Sequence, residues 1–288
     1  MLGSLAVGVS LTAWLSYQVV RELLLDNLKQ SASTALQEGV NEIDDWFTTQ
    51  KTYIEAISST PTARSLDWET VRPYLEQETQ RLDNFLTLSL VLPDGSFRNQ
   101  RGQTGNIADR QHFQGAMQGQ IQVSKPVIGR ASNVPIIAVS APIWNDPNDA
   151  DREPLGTLTG AIGIEQFTKV VNRLNYGPGS YAFAIDAEGE PIAYLESQEL
   201  AWDGDDADRS QEDIAAVMET QIARQIRHSD RRIDRTQIDG EVVYVAHQPL
   251  ENWSIVLVIP RENIENQLRS LNILAGVLGF ILAAATVL

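Results

Sequence analysis

Phe85-Leu86-Thr87-Leu88-Ser89-Leu90-Val91-Leu92-Pro93-Asp94-Gly95-Ser96-Phe97-Arg98 is the stretch on which the reading of the fold turns. Its first eight residues alternate with a period of two, the spacing of a strand. Pro93-Asp94-Gly95 then turns the chain and Ser96-Phe97-Arg98 leads back, so the stretch reads as a β-hairpin. The same plan recurs about 90 residues later. There Ser180-Tyr181-Ala182-Phe183-Ala184-Ile185 is the strand, Asp186-Ala187-Glu188-Gly189 the turn, and residues 190–194 the return.

Upstream of the first hairpin the pattern is helical. Leu36, Val40, Ile43, Phe47, Ile54 and Ile57 follow a 4-3 alternation, with Gln50 in the one polar slot. Such a stripe packs against its own domain or pairs with a second copy of the chain. Ser58-Ser59-Thr60-Pro61 ends that helix. A second helix covers 68–82, bent or restarted at Pro73. Between the hairpins come a short helix at 108–117 closed by Gly119, and strands at 121–128, 134–143 and 155–164. The loop 145–153 is acidic and contains Pro147. A helix over 165–174 follows, stopped by Tyr176-Gly177-Pro178-Gly179. After the second hairpin a polar helical stretch spans 210–227. Strands at 232–238, 241–247 and 253–259, with a turn at Asp239-Gly240, complete the second sheet. The class is therefore α+β: a long N-terminal helix and two tandem modules, each an antiparallel sheet with flanking helices. The expected boundaries are 21–60 for the stalk or dimerisation helix, 61–174 for the first module and 175–260 for the second.

Both ends of the chain are apolar. Residues 2–20 and 271–288 carry no charge, and all 22 basic and 38 acidic side chains lie between Arg21 and Arg269. At about 1.5 Å per residue, each end is long enough for a hydrocarbon core of roughly 30 Å. The reading is a transmembrane helix at 1–20 and an exit helix opening at Pro260-Arg261-Glu262 that runs into a second span within 261–288. A cleaved signal peptide at the N-terminus fits less well, for want of a basic n-region and an A-x-A-like site. The run ends at Leu288 inside the apolar stretch, so an output part on the far side is expected. A loop of this length translocates whatever its charge. Residues 21–270 are thus expected outside the cytoplasm, on a two-span protein of the inner (plasma) membrane.

The net charge of −16 excludes nucleic acid as a partner and disfavours lying flat on anionic lipid. There is no cysteine, hence no disulfide or thiolate framework. His112, His228 and His247 make no zinc spacing. Asp203-Gly204-Asp205-Asp206-Ala207-Asp208 fails the hand-type calcium template, with Ala207 at position 5 and Asp208 at position 6. Neither G-x-S-x-G, a P-loop nor H-E-x-x-H occurs. No cofactor, metal or catalytic residue is expected, and this segment does not read as an enzyme.

From residues 21 to 270 the chain resembles the double Cache sensor domains of bacterial chemoreceptors, sensor histidine kinases and cyclases. The resemblance is carried by Ala108-Asp109-Arg110-Gln111-His112-Phe113-Gln114-Gly115-Ala116, Gly119, Val123-Ser124-Lys125-Pro126 and Pro135-Ile136-Ile137-Ala138-Val139-Ser140-Ala141-Pro142-Ile143. Gly160-Ala161-Ile162-Gly163-Ile164-Glu165 and Asp186-Ala187-Glu188-Gly189 add to it. It implies PAS-like modules, with the ligand in the membrane-distal one and the signal passing through the proximal one to the second span. Family members that bind amino acids hold the carboxylate with an Arg and an aromatic pair, and the ammonium with an Asp on a strand-to-helix turn. Arg110 matches. His112 stands for Trp, Phe113 for Tyr, Val127 for a second Tyr, and Glu165 for the Asp. Arg130, in the loop Gly129-Arg130-Ala131-Ser132-Asn133, is a further candidate to close over a pocket. Each has a plainer reading too: a surface ion pair for Arg110, a backbone-satisfied imidazole for His112, a simple turn for Arg130. Tyr181, Phe183 and Tyr194 line a second pocket or belong to the core. The expected function is an extracytoplasmic sensor of a small polar or anionic ligand, an amino acid or an organic acid, working as a homodimer. The alternatives are a ligand-free dimerising spacer and an anchored hydrolase.

Overall fold

In the computed structural model the described residues are 2–145, 153–186, 191–193, 233–238, 241–250 and 253–263. A single helix α1, Leu2–Ser58, opens the chain. Every position of its 4-3 stripe is buried, Leu36, Val40, Ile43, Phe47, Gln50, Ile54 and Ile57 alike. The stripe is thus used inside the chain. Gln50 Nε2 donates to Trp46 O at 3.2 Å, and Gln50 Oε1 accepts from Asn84 at 3.5 Å, which lets a polar group sit in the seam. Helix α1 stops where Thr60 caps the next short helix α2, Pro61–Arg64: Thr60 Oγ1 accepts from Ala63 N at 3.2 Å, and Pro61 lacks the N–H that would continue α1.

Two compact units make up the chain, Asn41–Val171 and a second of Met1–Val40 with Asn172–Leu288. In the first, helix α3, Trp68–Leu82, runs unbroken through Pro73. Strands β1 Thr87–Val91, β2 Ser96–Asn99 and β3 Thr104–Asn106 precede helix α4, Gln111–Met117. Strands β4 Gln122–Val123, β5 Val127–Ile128, β6 Pro135–Trp144 and β7 Pro154–Gly163 then lead to helix α5, Ile164–Val171. All pairs are antiparallel, in the order β3-β2-β1-β7-β6-β4, with β5 also on β6. One face of this sheet presents Leu88, Leu90, Val139, Ala141, Ile143, Leu158 and Ile162 to Ile54, Ile57, Val71, Leu75 and Leu82 of the helices. The helices come so close that a Cβ on Gly160 would lie 2.6 Å from Ile54 Cδ1 and from Phe85. Phe167 of α5 packs on Phe47 of α1, ring centroids 5.5 Å apart.

In the second unit β8 Tyr181–Asp186, β9 Pro191–Ala193, β10 Ile233–Ile238, β11 Glu241–Leu250 and β12 Trp253–Pro260 form a five-stranded antiparallel sheet. Its order is β10-β11-β12-β8-β9. The order β9-β8-β12-β11 repeats β2-β1-β7-β6: in each sheet the first hairpin strand pairs with the last strand. The N-terminal part of α1 is tied here by Gln248 Nε2 to Gln37 Oε1 at 2.7 Å and by Tyr176 Oη to Leu28 O at 3.2 Å. Tyr181 and Phe183 stack at 6.2 Å within the apolar cluster of this sheet, so they are core here.

Several expectations change. The strand expected over 121–128 is two short ones. Pro126 has no N–H for the ladder, while Ser124 still bonds Ala138 through both its backbone N–H and its Oγ, each at 2.8 Å. The helix expected from 108 begins at Gln111, because Asn106 Oδ1 takes Ala108 N at 2.9 Å and Gly95 O takes Ile107 N at 2.8 Å. Strand β3 was not expected. Residues 2–20 are helical, yet among the described residues no helix is long and apolar enough to cross a membrane. The turn 187–189, Tyr194, the acidic loop 203–208, the helical stretch 210–227 and the apolar run 271–288 lie outside the described residues.

Gly95 and Gly102 both have positive φ, +81° and +78°, but only Gly95 has backbone against it: a Cβ there would lie 2.5 Å from Ala108 N. Gly102→Ala is expected to cost about 1 kcal/mol of left-handed strain. Gly95→Ala adds a clash with a neighbour that cannot swing away and is expected to cost about 3 kcal/mol. Denaturant unfolding of the two variants beside the parent chain checks the difference.

Candidate functional site

The face of the seven-stranded sheet opposite the helices carries a different set of side chains. In the β1–β7 register Thr87 faces Ala161 and Ser89 faces Thr159. In the β6–β7 register Ala138 faces Ala161 and Ser140 faces Thr159. Alternation sends all six to one side. They are small, so they leave space above the sheet. Helix α4 packs over β6 and β7, and the segment 127–132 arches beside it. A cavity of about 50 Å³ remains between them, several times what a single water needs. Thr87, Ser89, Ala138, Thr159 and Ala161 form its floor, Arg110 and His112 one wall, and Val127 to Ser132 another, with Phe97, Ile107 and Ile136 supplying apolar surface.

His112 is buried, and its Nδ1 lies 2.9 Å from Ser140 Oγ, which lies 2.8 Å from Thr159 Oγ1. This buried relay reaches from α4 to the cavity floor. Burial pushes the His112 imidazole down to about 4, the Arg110 guanidinium adds to that, and Asp109 opposes it. His112 is therefore neutral at pH 7. Arg110 donates one Nη2 hydrogen bond to Ile128 O at 3.2 Å, which holds the arch against the start of α4. A guanidinium has five N–H donors. Arg130 is paired with an acid as well: Nη2 contacts Asp109 Oδ2 at 2.6 Å and Nη1 donates to Asn106 O. Asp94, in the neighbouring turn, is held below the usual carboxylate range by the Ser96 hydroxyl and backbone N–H.

Of the residues singled out from the sequence, Arg110, His112, Val127 and Arg130 meet around the cavity. Phe113 does not line it; its ring is buried with Val91, Phe97 and Ile107 just behind the wall. Glu165 does not line it either: it is exposed in the first turn of α5. The sequence reading passed over Thr87, Ser89, Ser132, Ser140 and Thr159. A signal for the strand positions was present, since Thr87-Leu88-Ser89-Leu90 and Leu158-Thr159 alternate apolar residues with small hydroxyl ones. Ser132 has no such signal. Its Oγ is buried without a partner. Thr87 and Ser89 are buried as well. Nor do the described residues hold any group of three or more His, Asp or Glu placed to bind a metal.

The neutral His112 has a consequence for stability. Unfolding restores its ordinary affinity for protons, so the unfolded chain binds more protons between about pH 6.5 and 4, and stability falls as pH drops through that window. The full effect is about 3 kcal/mol. In His112→Gln this part of the acid sensitivity should vanish, which denaturant unfolding at pH 7, 5.5 and 4.5 measures.

Comparison with known proteins agrees on one fold. The ligand-binding domain of the Pseudomonas fluorescens chemoreceptor CtaA, in complex with L-isoleucine, superposes with a TM-score of 0.65 at 16% identity, over 86% of this chain and 98% of that one. The sensory domain of the Campylobacter jejuni chemoreceptor Tlp3 with isoleucine bound gives 0.62 at 15%, over 85% and 97%. The ligand-binding domain of the Pseudomonas aeruginosa amino acid chemoreceptor PctB with L-Arg gives 0.62 at 18%, over 90% and 99%. No curated protein matches the chain in sequence. The Cache domain model, in contrast, matches residues 16–268, nearly the whole length, and the long first helix and antiparallel sheets accord with it. The chain belongs to the Cache domain family.

Proposed function

We propose that this chain is the extracytoplasmic sensor segment of a transmembrane signalling receptor, and that its ligand is a small polar or anionic molecule held in the cavity above β1, β7 and β6. The observation that carries the reading is the cavity itself: a floor of small and hydroxyl side chains, with the Arg110 guanidinium on its wall. Such a site recognises a small anion by charge-assisted, bidentate hydrogen bonds. CtaA, Tlp3 and PctB are chemoreceptors whose domains hold amino acids, which supports a ligand of that size, an amino acid or an organic acid. Arg110, His112, Val127 and Arg130 are the proposed contacts, with Phe113 backing the wall and Glu165 outside it.

Anchoring at both ends rests on the uncharged runs 2–20 and 271–288. Leu15, Val19 and Leu23, spaced four apart on α1, are also exposed. Ligand closure over the cavity would bias a two-state element in a homodimer, and the displacement would pass to the segment after β12.

A thermal-shift screen of the chain against amino acids, organic acids, amines and purines tests the site. A ligand at 100 times its dissociation constant should add about 2.7 kcal/mol of stability, and Arg110→Ala should abolish that gain. A gain that survives the substitution moves the site elsewhere; no gain from any compound favours the ligand-free spacer. The relay has its own test. Because the chain has no cysteine, single cysteines introduced between positions 261 and 269 are the only thiols present. Their disulfide cross-linking pattern between copies is expected to change when ligand is added, and identical patterns would sink the relay.

A further inference from the structure

We infer that the ligand is a short monocarboxylate without an amino group, plain or bearing a hydroxyl. This rests on the sensor reading above and names the chemistry of that same cavity. Among the side chains that line it, none is acidic. Asp109, on the rim, faces Arg130 at 2.6 Å, and Glu165, whose Oε2 lies over Gly163 at the end of β7, is exposed and is not among the lining residues. His112 is neutral and its Nδ1 is engaged with Ser140. An ammonium group placed here would leave water with no carboxylate among the lining residues to meet it, beside a guanidinium of the same sign. A buried charge in that position is strongly disfavoured.

A carboxylate finds the opposite. Arg110 has donors beyond the one held by Ile128 O, and the fork geometry of a guanidinium matches a carboxylate. A second carboxylate would have to compete for Arg130, the other cation among the lining residues, which already pairs with Asp109. Thr87 and Ser89 bring hydroxyls to the lining, and the buried Oγ of Ser132 has no partner among the described residues, a group that needs one. A hydroxyl both donates and accepts, so these residues suit a ligand hydroxyl or a carboxylate oxygen equally. Phe97, Ile107, Val127 and Ile136 offer apolar surface for a short carbon body. The small volume sets the length.

Three probes share one carbon skeleton and differ only at the second carbon: L-lactate, propanoate and L-alanine. Calorimetric titration of the full chain with each, at pH 7, separates the possibilities. Lactate or propanoate should bind at least about tenfold more tightly than alanine, and Arg110→Gln should weaken that binding by about tenfold or more. Ser89→Ala, which keeps the shape, should weaken lactate more than propanoate. Alanine binding as well as lactate or better would overturn the inference and leave the sensor reading standing. Carboxylate binding that ignores Arg110→Gln would overturn it too. Binding of none of the three would also overturn it, and the wider screen would then decide whether the cavity holds any ligand at all.

Discussion

Strand β7 pairs with β1 on one side and β6 on the other, in register, and everything at the site depends on that double pairing. A strand sends alternate residues to opposite faces, so fixing the register of three adjacent strands sorts their side chains into two surfaces at once. One surface is leucine, isoleucine and valine, buried under α1 and α3. The other is Thr87, Ser89, Ala138, Ser140, Thr159 and Ala161, which is small and polar and therefore hollow. A slip of one residue would turn the hydroxyls onto the helices and the leucines into the cavity. The core and the cavity are two sides of one constraint.

The hollow face is a local concession in stability. Unpartnered buried hydroxyls cost about 1 to 3 kcal/mol each when nothing replaces water around them. Helix-side packing offsets this: Ile54, Leu75, Leu88, Leu158 and Ile162 are fully buried there, and Gly160 lets α1 approach the sheet directly. Departures from good packing and full hydrogen bonding of this kind collect where a protein does its work. The ends of the cavity are then set by polar contacts. Arg110 to Ile128, and Arg130 to Asp109 and Asn106, stitch the arch 127–132 to the start of α4. These contacts lie partly in solvent, where ion pairs contribute little stability, so the arch is the part of the wall with least to lose on opening.

Most of the architecture was legible because it follows from periodicity. The 4-3 stripe of α1, the hairpin at Pro93-Asp94-Gly95 and the repeat at β8–β9 all rest on spacing within a few residues. What periodicity could not reveal was the partner of each strand. Nothing local in Thr159 says that it lies between Ser89 and Ser140, and so the hydroxyl floor went unread although its alternation was in plain view. Ser124 and Pro126 likewise hid a break in one strand, since the loss of a ladder N–H matters only once the neighbouring strand is known. Arg110, His112, Val127 and Arg130 were reached by resemblance, which transfers positions. It could not transfer the side chain of Glu165, which in this chain is exposed and does not line the cavity.

The sequence by itself determined the class of fold, the strand and helix order, the acidic aqueous character of the middle and the uncharged ends, because these depend on composition and on spacing along one segment. Only the tertiary structure decided which side chains share a cavity, that Arg130 pairs with Asp109 while Arg110 bonds only a backbone carbonyl among the described residues, and that His112 is held neutral. Those are properties of distance and burial among residues 20 to 70 positions apart, such as Ser89 and Thr159 or Arg130 and Asp109. Charge and hydrogen-bonding capacity are written in the residue types, but their sign and strength at a site depend on what lies within a few ångströms.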